Sequence, residues 1–401
     1  MKKRLFILLL CVVLLAGGIT VLHASGDVSR NGTVTITREE YDQLLKYQKL
    51  EEVLQYIQYY YYQDPDTDKM LDAAVSGLLY GLGDPYTFYY NKEAWAEMNE
   101  EEEGEYTGIG IQLLGSYADY SVTITRVFRD TPAEEAGLRK GDLLVRVEDI
   151  DVNVETMQSA VNVMRGKIGE SVEVEVYRNG EYITFTITRA EIHMNNIEYV
   201  MLENDVGYLI IYQFSTEAFQ KDFTAAMDAL EAAGAKSIIL DLRDNPGGWV
   251  HDSVFVANRF LDNKLVVYSE DRYGTRNEEK TGAGASDVPL VVLVNQSSAS
   301  SSEILAGALQ DHDRATIVGT NTFGKGVMQY VIPLSDNETG IQFTYCQYYT
   351  PNGNAVHGIG IKPDVEVEMP EEYASTLFEV GDMTDPQLKA AYEEALKLIK
   401  E

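Results

Sequence analysis

Residues 291–329 read VVLVNQSSASSSEILAGALQDHDRATIVGTNTFGKGVMQ. The stretch opens on a continuous apolar run, the pattern of a strand buried on both faces, and passes through a serine cluster into a helical pattern. Five serines lie between Ser297 and Ser302. At such a junction the first N–H groups of the helix are unpaired and can stabilise a developing oxyanion. A serine hydroxyl is a weak nucleophile and needs a base. No histidine stands in an obvious triad pattern, yet Lys325 follows in a glycine-flanked FGKG turn. A lysine serves as base once burial lowers its pKa and leaves the amine neutral. Glu303, one helical turn after Ser300, faces the same side of the helix.

Working outward, the region from about residue 191 alternates strands with helices. GYLIIYQF (207–214) precedes the helical FQKDFTAAMDALEAAGA, then come the apolar strand in KSIILDLRDNPGG (236–248), the helical VHDSVFVANRFL and the strand VPLVVLVN (288–295). This alternation predicts an α/β fold whose sheet contains parallel pairs with helices on its faces. Ligands in such sheets bind at the C-terminal ends of strands. Both DNPGG (244–248) and the serine cluster directly follow apolar strands.

Residues 105–190 have a different character. Short alternating strands (GIGIQLL, YSVTITRVF, DLLVRVEDI, SVEVEVY, EYITFTITRA) surround two short helices, TPAEEAGL and ETMQSAVNVMRG, with a hairpin turn at RNG 178–180. This predicts a small β-rich domain. Before it, residues 38–62 carry Leu and Tyr at three- and four-residue spacing behind a Thr with Glu nearby, which predicts one amphipathic helix, and DKMLDAAVSGLLYGLGD (68–84) predicts another. The first aromatic-rich stripe serves either core packing or pairing with a second copy of the chain. Residues 371–401 also read as helical.

Lys2, Lys3 and Arg4 precede an apolar run from Leu5 to Ala16. Basic-then-apolar order over residues 1–24 is that of an export signal or an uncleaved membrane anchor, and it places the body of the protein outside the cytoplasm. The whole chain of 401 residues has 32 Lys+Arg against 64 Asp+Glu, a formal charge of -32. Such a charge repels phosphate backbones and argues against a nucleic-acid partner. Two cysteines, one of them in the leader, leave no internal disulfide framework and no cysteine-rich zinc site. The five histidines show no HExxH pairing, so no metal is expected.

The sequence also carries three further patterns. Gly319 to Lys325 matches GxxxxGK, but Gly326 stands where a phosphate-binding loop has Ser or Thr. A Ser-His-Asp site built on His251 or His312 with Asp252 or Asp311 is a second. A non-catalytic binding module with an inactive core is the third.

Two resemblances tie these features together. GIGIQLL, VTITRVF and DTPAEEAGLRKGDLLVRVEDIDV resemble a PDZ domain, whose glycine loop offers N–H groups to a free C-terminal carboxylate while the peptide adds as a strand to a sheet edge. The resemblance assigns that loop to Gly108, Ile109, Gly110 and Ile111. The segment 291–329 resembles the carboxy-terminal processing peptidases, also called tail-specific proteases, serine endopeptidases with a Ser/Lys dyad. GLGDPYTFYY (81–90) and YYTPNGNAVHGIGIKPDVEV (348–367) resemble two further blocks of that family.

The family likeness implies Ser300 as nucleophile, Lys325 as general base and Gln329 as the residue that orients the amine. It draws the oxyanion donors from Ser301 and from Gly247 or Gly248, and leaves Ser298 and Ser301 as alternative nucleophiles off the family spacing. Glu303 is a supporting residue. Arg165 contacts either the substrate or the core. The implied fold is a crotonase-like α/β protease core (191–370) with an inserted PDZ domain (105–190), a helical N-terminal segment (38–104) and a C-terminal helical extension (371–401). Its substrates are proteins with free C-termini, and it needs no cofactor.

Overall fold

The computed structural model describes residues 35–103, 105–214, 218–373 and 376–400. The leader read over residues 1–24 lies outside them. Among the described residues no helix is long and apolar enough to cross a membrane. The chain divides into two compact units, residues 1–71 and 72–401.

In the first unit, Thr37 and Glu40 form a capping box: the Thr37 hydroxyl accepts the Glu40 N–H at 3.2 Å and the Glu40 carboxylate accepts the Thr37 N–H at 2.7 Å. The expected single helix over 38–62 is two, Arg38–Leu45 and Gln48–Tyr60. The amides of Lys46 and Tyr47 bond back only three residues, to Gln43 and Leu44, and that tighter turn breaks the α-helical ladder. No residue of either helix is buried.

The second unit is built on a six-stranded sheet in the order Ile197–Leu202, Val206–Ile211, Ser237–Asp241, Leu290–Val294, Ala315–Gly319, Val365–Glu366. The first pair is antiparallel and the others are parallel. Val206–Ile211, Ser237–Asp241 and Leu290–Val294 are buried along their whole length, as strands covered on both faces must be. Leu209, Ile238, Leu240, Val292 and Ile317 point to one face and pack with the helices Phe219–Ala232, Val250–Asn258 and Ser301–Asp311. Tyr208, Ile239, Val291, Leu293 and Val318 alternate with them and meet Leu388, Ala391 and Ala395 of the helix Pro386–Lys400. The C-terminal extension thus covers the second face of the core sheet. Each fully buried aliphatic side chain on these faces contributes about 1.5–3 kcal/mol.

A separate five-stranded antiparallel sheet is centred on Gly340–Tyr349. Val327–Pro333 pairs along one edge of that strand, while Phe88–Tyr90 and Leu265–Asp271 share the other. Part of the segment expected to be helical, around GLGDPYTFYY, is therefore strand and belongs to this sheet.

The β-rich module has the strand order Ile111–Gly115, Val122–Val127, Leu143–Val147, Ser171–Arg178, Glu181–Thr188, with its own core around Ile124, Val147, Ala160 and Val174. Its entering and leaving segments, Glu105–Gly108 and Ala190–His193, pair antiparallel, which is how an inserted module closes its ends. Arg126 bolts it to the main core. The buried guanidinium bonds Glu198 at 2.9 Å and the Asn195 carbonyl, and stacks 3.7 Å from the Tyr212 ring.

Candidate active site

Four residues of the serine cluster can be told apart by where their hydroxyls go. Ser298 donates to the Leu242 carbonyl at 2.7 Å, Ser301 to the Gly248 carbonyl at 2.8 Å and Ser302 to the Asn245 carbonyl at 3.0 Å. All three side chains are buried and fasten the cluster to the segment 242–248, which ends in the DNPGG turn. The Ser300 hydroxyl donates to no group among the described residues. Its backbone also stands apart, at φ 55° and ψ −115°. A non-glycine residue held there is strained, and such strain is the usual way a nucleophile is presented at a strand-to-helix turn.

Ser300 caps the helix Ser301–Asp311, and its N–H donates to Glu303 Oε2 at 2.9 Å. Glu303 is fully buried and accepts three more hydrogen bonds: from the Thr322 hydroxyl at 2.6 Å, the Gly324 N–H at 2.6 Å and the Lys325 N–H at 2.8 Å. Its spacing from Ser300 was visible in the sequence. That it also holds the lysine turn was not, because Thr322, Gly324 and Lys325 reach it only through the fold.

Lys325 follows the parallel strand Ala315–Gly319 and enters the antiparallel strand Val327–Pro333. No helix begins after Gly319–Lys325, so this loop lacks the helix N-terminus on which a phosphate-binding loop depends. Burial pushes the Lys325 amine below the ordinary lysine range, against the opposing pull of Glu303 and Asp84. Its Nζ lies 5.2 Å from the centre of the Tyr86 ring. Tyr86 comes from GLGDPYT, where Asp84 accepts the Tyr86 N–H at 2.9 Å and the Thr87 hydroxyl at 2.6 Å. Gln329 donates its amide to the Thr344 hydroxyl at 3.2 Å. Among the described residues it makes no hydrogen bond to Lys325.

The two glycines of DNPGG differ. The Gly247 N–H is taken by Asn245 Oδ1 at 2.8 Å, whereas the Gly248 and Ser301 N–H groups have no acceptor among the described residues. Gly247, at φ 103°, lies so close to the Ser300 loop that a Cβ there would sit 2.7 Å from Ser300 Cβ. Only glycine allows this approach. Asn245 was not singled out from sequence. It is fully buried, and its amide also donates to the Ile211 carbonyl at 2.8 Å.

The histidines lie elsewhere. His312 caps the far end of the Ser300 helix, about 18 Å away at 1.5 Å per residue, with Nε2 at 2.7 Å from the Leu265 carbonyl. His251 is exposed, 3.5 Å from Asp252 and against the Trp249 ring.

In the β-rich module, Gly108, Ile109 and Gly110 are buried. The Ile109 carbonyl accepts the Ala133 N–H at 2.9 Å and the Gly110 carbonyl the Phe128 N–H at 3.0 Å, while the Ile109 and Gly110 N–H groups have no acceptor among the described residues. Gly110 has φ 94° and packs against Thr131. A cavity of about 1180 Å³ runs from Gly108–Ile111, Met157 and Met164 to Asp244, Pro246 and Ser297, beside the serine and glycine loops. Arg165 lines it, paired with Glu100 at 2.9 Å and lying 5.3 Å from the Tyr106 ring.

Comparison with known proteins matches these parts. The pattern of peptidase family S41 matches residues 205–367, that of the PDZ domain residues 107–188, and that of the activating protease CtpB N-terminal domain residues 11–94. The carboxy-terminal-processing protease of Bartonella bacilliformis is 33% identical over 373 residues, 90% of this chain and 84% of that protein. The carboxy-terminal processing protease CtpA of Bacillus subtilis is 33% identical over 386 residues, covering 96% and 81%. The solved photosystem II D1 C-terminal processing protease is similar with a TM-score of 0.52 and 27% identity, covering 88% of this chain and 100% of that one. The chain belongs to peptidase family S41, as a serine protease of the carboxy-terminal processing group that carries a PDZ domain.

Proposed function

We propose that this protein is an exported endopeptidase that cuts proteins near their C-terminal tails, with Ser300 as nucleophile and Lys325 as general base. The observation that carries the reading is the Ser300 hydroxyl, which donates to no group among the described residues. Its three buried neighbours in the cluster are spent on carbonyls, and its backbone is held in a strained turn at a helix N-terminus. Lys325 supports the role of base because burial favours its neutral amine. In this reaction the neutral amine takes the Ser300 proton, the alkoxide attacks the scissile carbonyl, and water hydrolyses the resulting acyl-enzyme. Gly248 and Ser301 supply the oxyanion donors, since the Gly247 N–H is already engaged. Gln329, whose amide donates to the Thr344 hydroxyl, takes the role of orienting the amine from the family likeness alone.

The PDZ domain captures the substrate's free C-terminus at the Ile109 and Gly110 N–H groups, and the cavity leads the tail towards Ser297 and Pro246. The basic-then-apolar leader supports export, with the membrane as a partner where the leader stays attached. The exposed tyrosine-rich helices Arg38–Leu45 and Gln48–Tyr60 pair with a second copy of the chain. The test is kinetic: Ser300→Ala and Lys325→Ala each abolish peptide hydrolysis in a folded protein. Near-normal turnover by Lys325→Ala overturns the dyad.

A further inference from the structure

Ser300 and Lys325 are joined through both ends of their peptide groups by the same two side chains. Glu303 Oε2 accepts the N–H of Ser300 at 2.9 Å and the N–H of Lys325 at 2.8 Å. The Tyr348 hydroxyl lies 2.7 Å from the carbonyl oxygen of Lys325 and 3.1 Å from that of Ser300. Neither partner is free to drift. Glu303 is fixed by its two further donors on the lysine loop, the Thr322 hydroxyl and the Gly324 N–H. Tyr348 is fully buried on the central strand Gly340–Tyr349, and its own N–H donates to the Gly326 carbonyl at 3.0 Å. It therefore grips the FGKG turn twice, once by main chain and once by side chain. The turn has no slack of its own, since the Gly358 N–H holds the Gly324 carbonyl at 2.8 Å.

We infer that Glu303 and Tyr348 are positioning residues that set the spacing of Ser300 and Lys325 by clasping their main chains, leaving both side chains free for chemistry. This rests on the Ser/Lys reading above. The two halves differ in charge. Tyr348 stays a neutral donor, because burial, reinforced by Glu303 and Tyr86, holds its phenol well above the ordinary tyrosine range. Glu303 only accepts, four times over, and serves as a carboxylate. It thereby also favours the protonated form of Lys325. The groups facing that amine are Glu303 from the helix, Asp84 and Tyr86 from the 81–90 loop, with Tyr348 behind Glu303 and His357 against the Tyr86 ring.

The experiment is a pH–rate profile of the full chain as wild type, Tyr348→Phe, Glu303→Gln and Lys325→Ala, with circular dichroism as the folding check. Tyr348→Phe removes one oxygen and is the variant that keeps the test valid where Glu303→Gln fails to fold. It lowers kcat about ten- to a hundredfold, the effect of loosened alignment, with KM within about twofold and the acid limb unmoved. Glu303→Gln lowers kcat and also moves the acid limb to lower pH, because the anion that holds the proton on Lys325 is gone. A folded Tyr348→Phe enzyme with wild-type kcat, or a folded Glu303→Gln enzyme whose limb stays or rises, overturns the clasp. The two readings fail separately: an active Lys325→Ala enzyme sinks the dyad, whereas an inactive one beside a normal Tyr348→Phe enzyme sinks only the clasp.

Discussion

Asn245 Oδ1 accepts the Gly247 N–H at 2.8 Å, and this bond distinguishes two adjacent glycines that the sequence leaves equivalent. It anchors the turn and leaves the next N–H, that of Gly248, without an acceptor among the described residues, as the proposed oxyanion donor must be. Asn245→Ala unpairs the Gly247 N–H and the Ile211 carbonyl, at a cost of about 1–3 kcal/mol of stability for the buried groups. It is also expected to lower kcat about tenfold or more as the oxyanion turn loosens. Thermal unfolding and steady-state kinetics on the same preparation check both effects.

The assignment of the nucleophile separates Ser300 from its neighbours. Ser300→Ala abolishes hydrolysis, whereas Ser298→Ala, Ser301→Ala and Ser302→Ala each remove a structural hydrogen bond worth about 1 kcal/mol and keep activity within about tenfold. Ser301→Ala is the informative member because it keeps the backbone N–H proposed for the oxyanion. A dead Ser301→Ala enzyme beside an active Ser300→Ala enzyme reverses the assignment.

The proposed lysine base fixes the pH dependence to expect. Its folded pKa lies below the ordinary value near 10.4 because burial outweighs the pull of Glu303 and Asp84. Activity therefore rises with pH through the Lys325 pKa and levels off above it. Stability follows the same sign: between the folded pKa and about 10.4 the unfolded chain binds more protons, so this group's penalty is full below its folded pKa and is relieved as pH rises. Lys325→Met is expected to raise Tm at neutral pH and to gain less as the medium becomes alkaline. Melting curves across that range test it.

Tail capture predicts a discrimination that the catalytic centre cannot make. Amidating the C-terminus of a peptide substrate removes the charge that the Ile109 and Gly110 N–H groups are proposed to bind. KM is expected to rise about tenfold with kcat held, the effect of losing charge-assisted hydrogen bonds. Equal KM values for acid and amide forms count against the PDZ loop as the capture site.

The α/β core was legible because Val206–Ile211, Ser237–Asp241 and Leu290–Val294 are apolar along their whole length, a pattern that marks buried parallel strands. The proposed roles of Ser300 and Lys325 come from the family likeness of one continuous segment. Less visible were contacts made across long separations. Tyr348 reads as an ordinary strand residue until the sheet brings it under the FGKG turn, and Asn245 reads as a turn former. Tyr86 sits in a quoted motif, yet its place beside the Lys325 amine depends on Phe88–Tyr90 joining the sheet that follows Lys325. The break between Arg38–Leu45 and Gln48–Tyr60 lay within an unbroken periodic pattern. Periodicity reports which face is apolar and carries no information on a three-residue hydrogen-bond shift.

The most direct test of the central claim is digestion of an unfolded protein with an apolar C-terminus by the full chain, wild type beside Ser300→Ala, with mass spectrometry of the fragments. The account predicts cuts near the C-terminus by wild type and none by the variant. Equal cleavage by Ser300→Ala would contradict it.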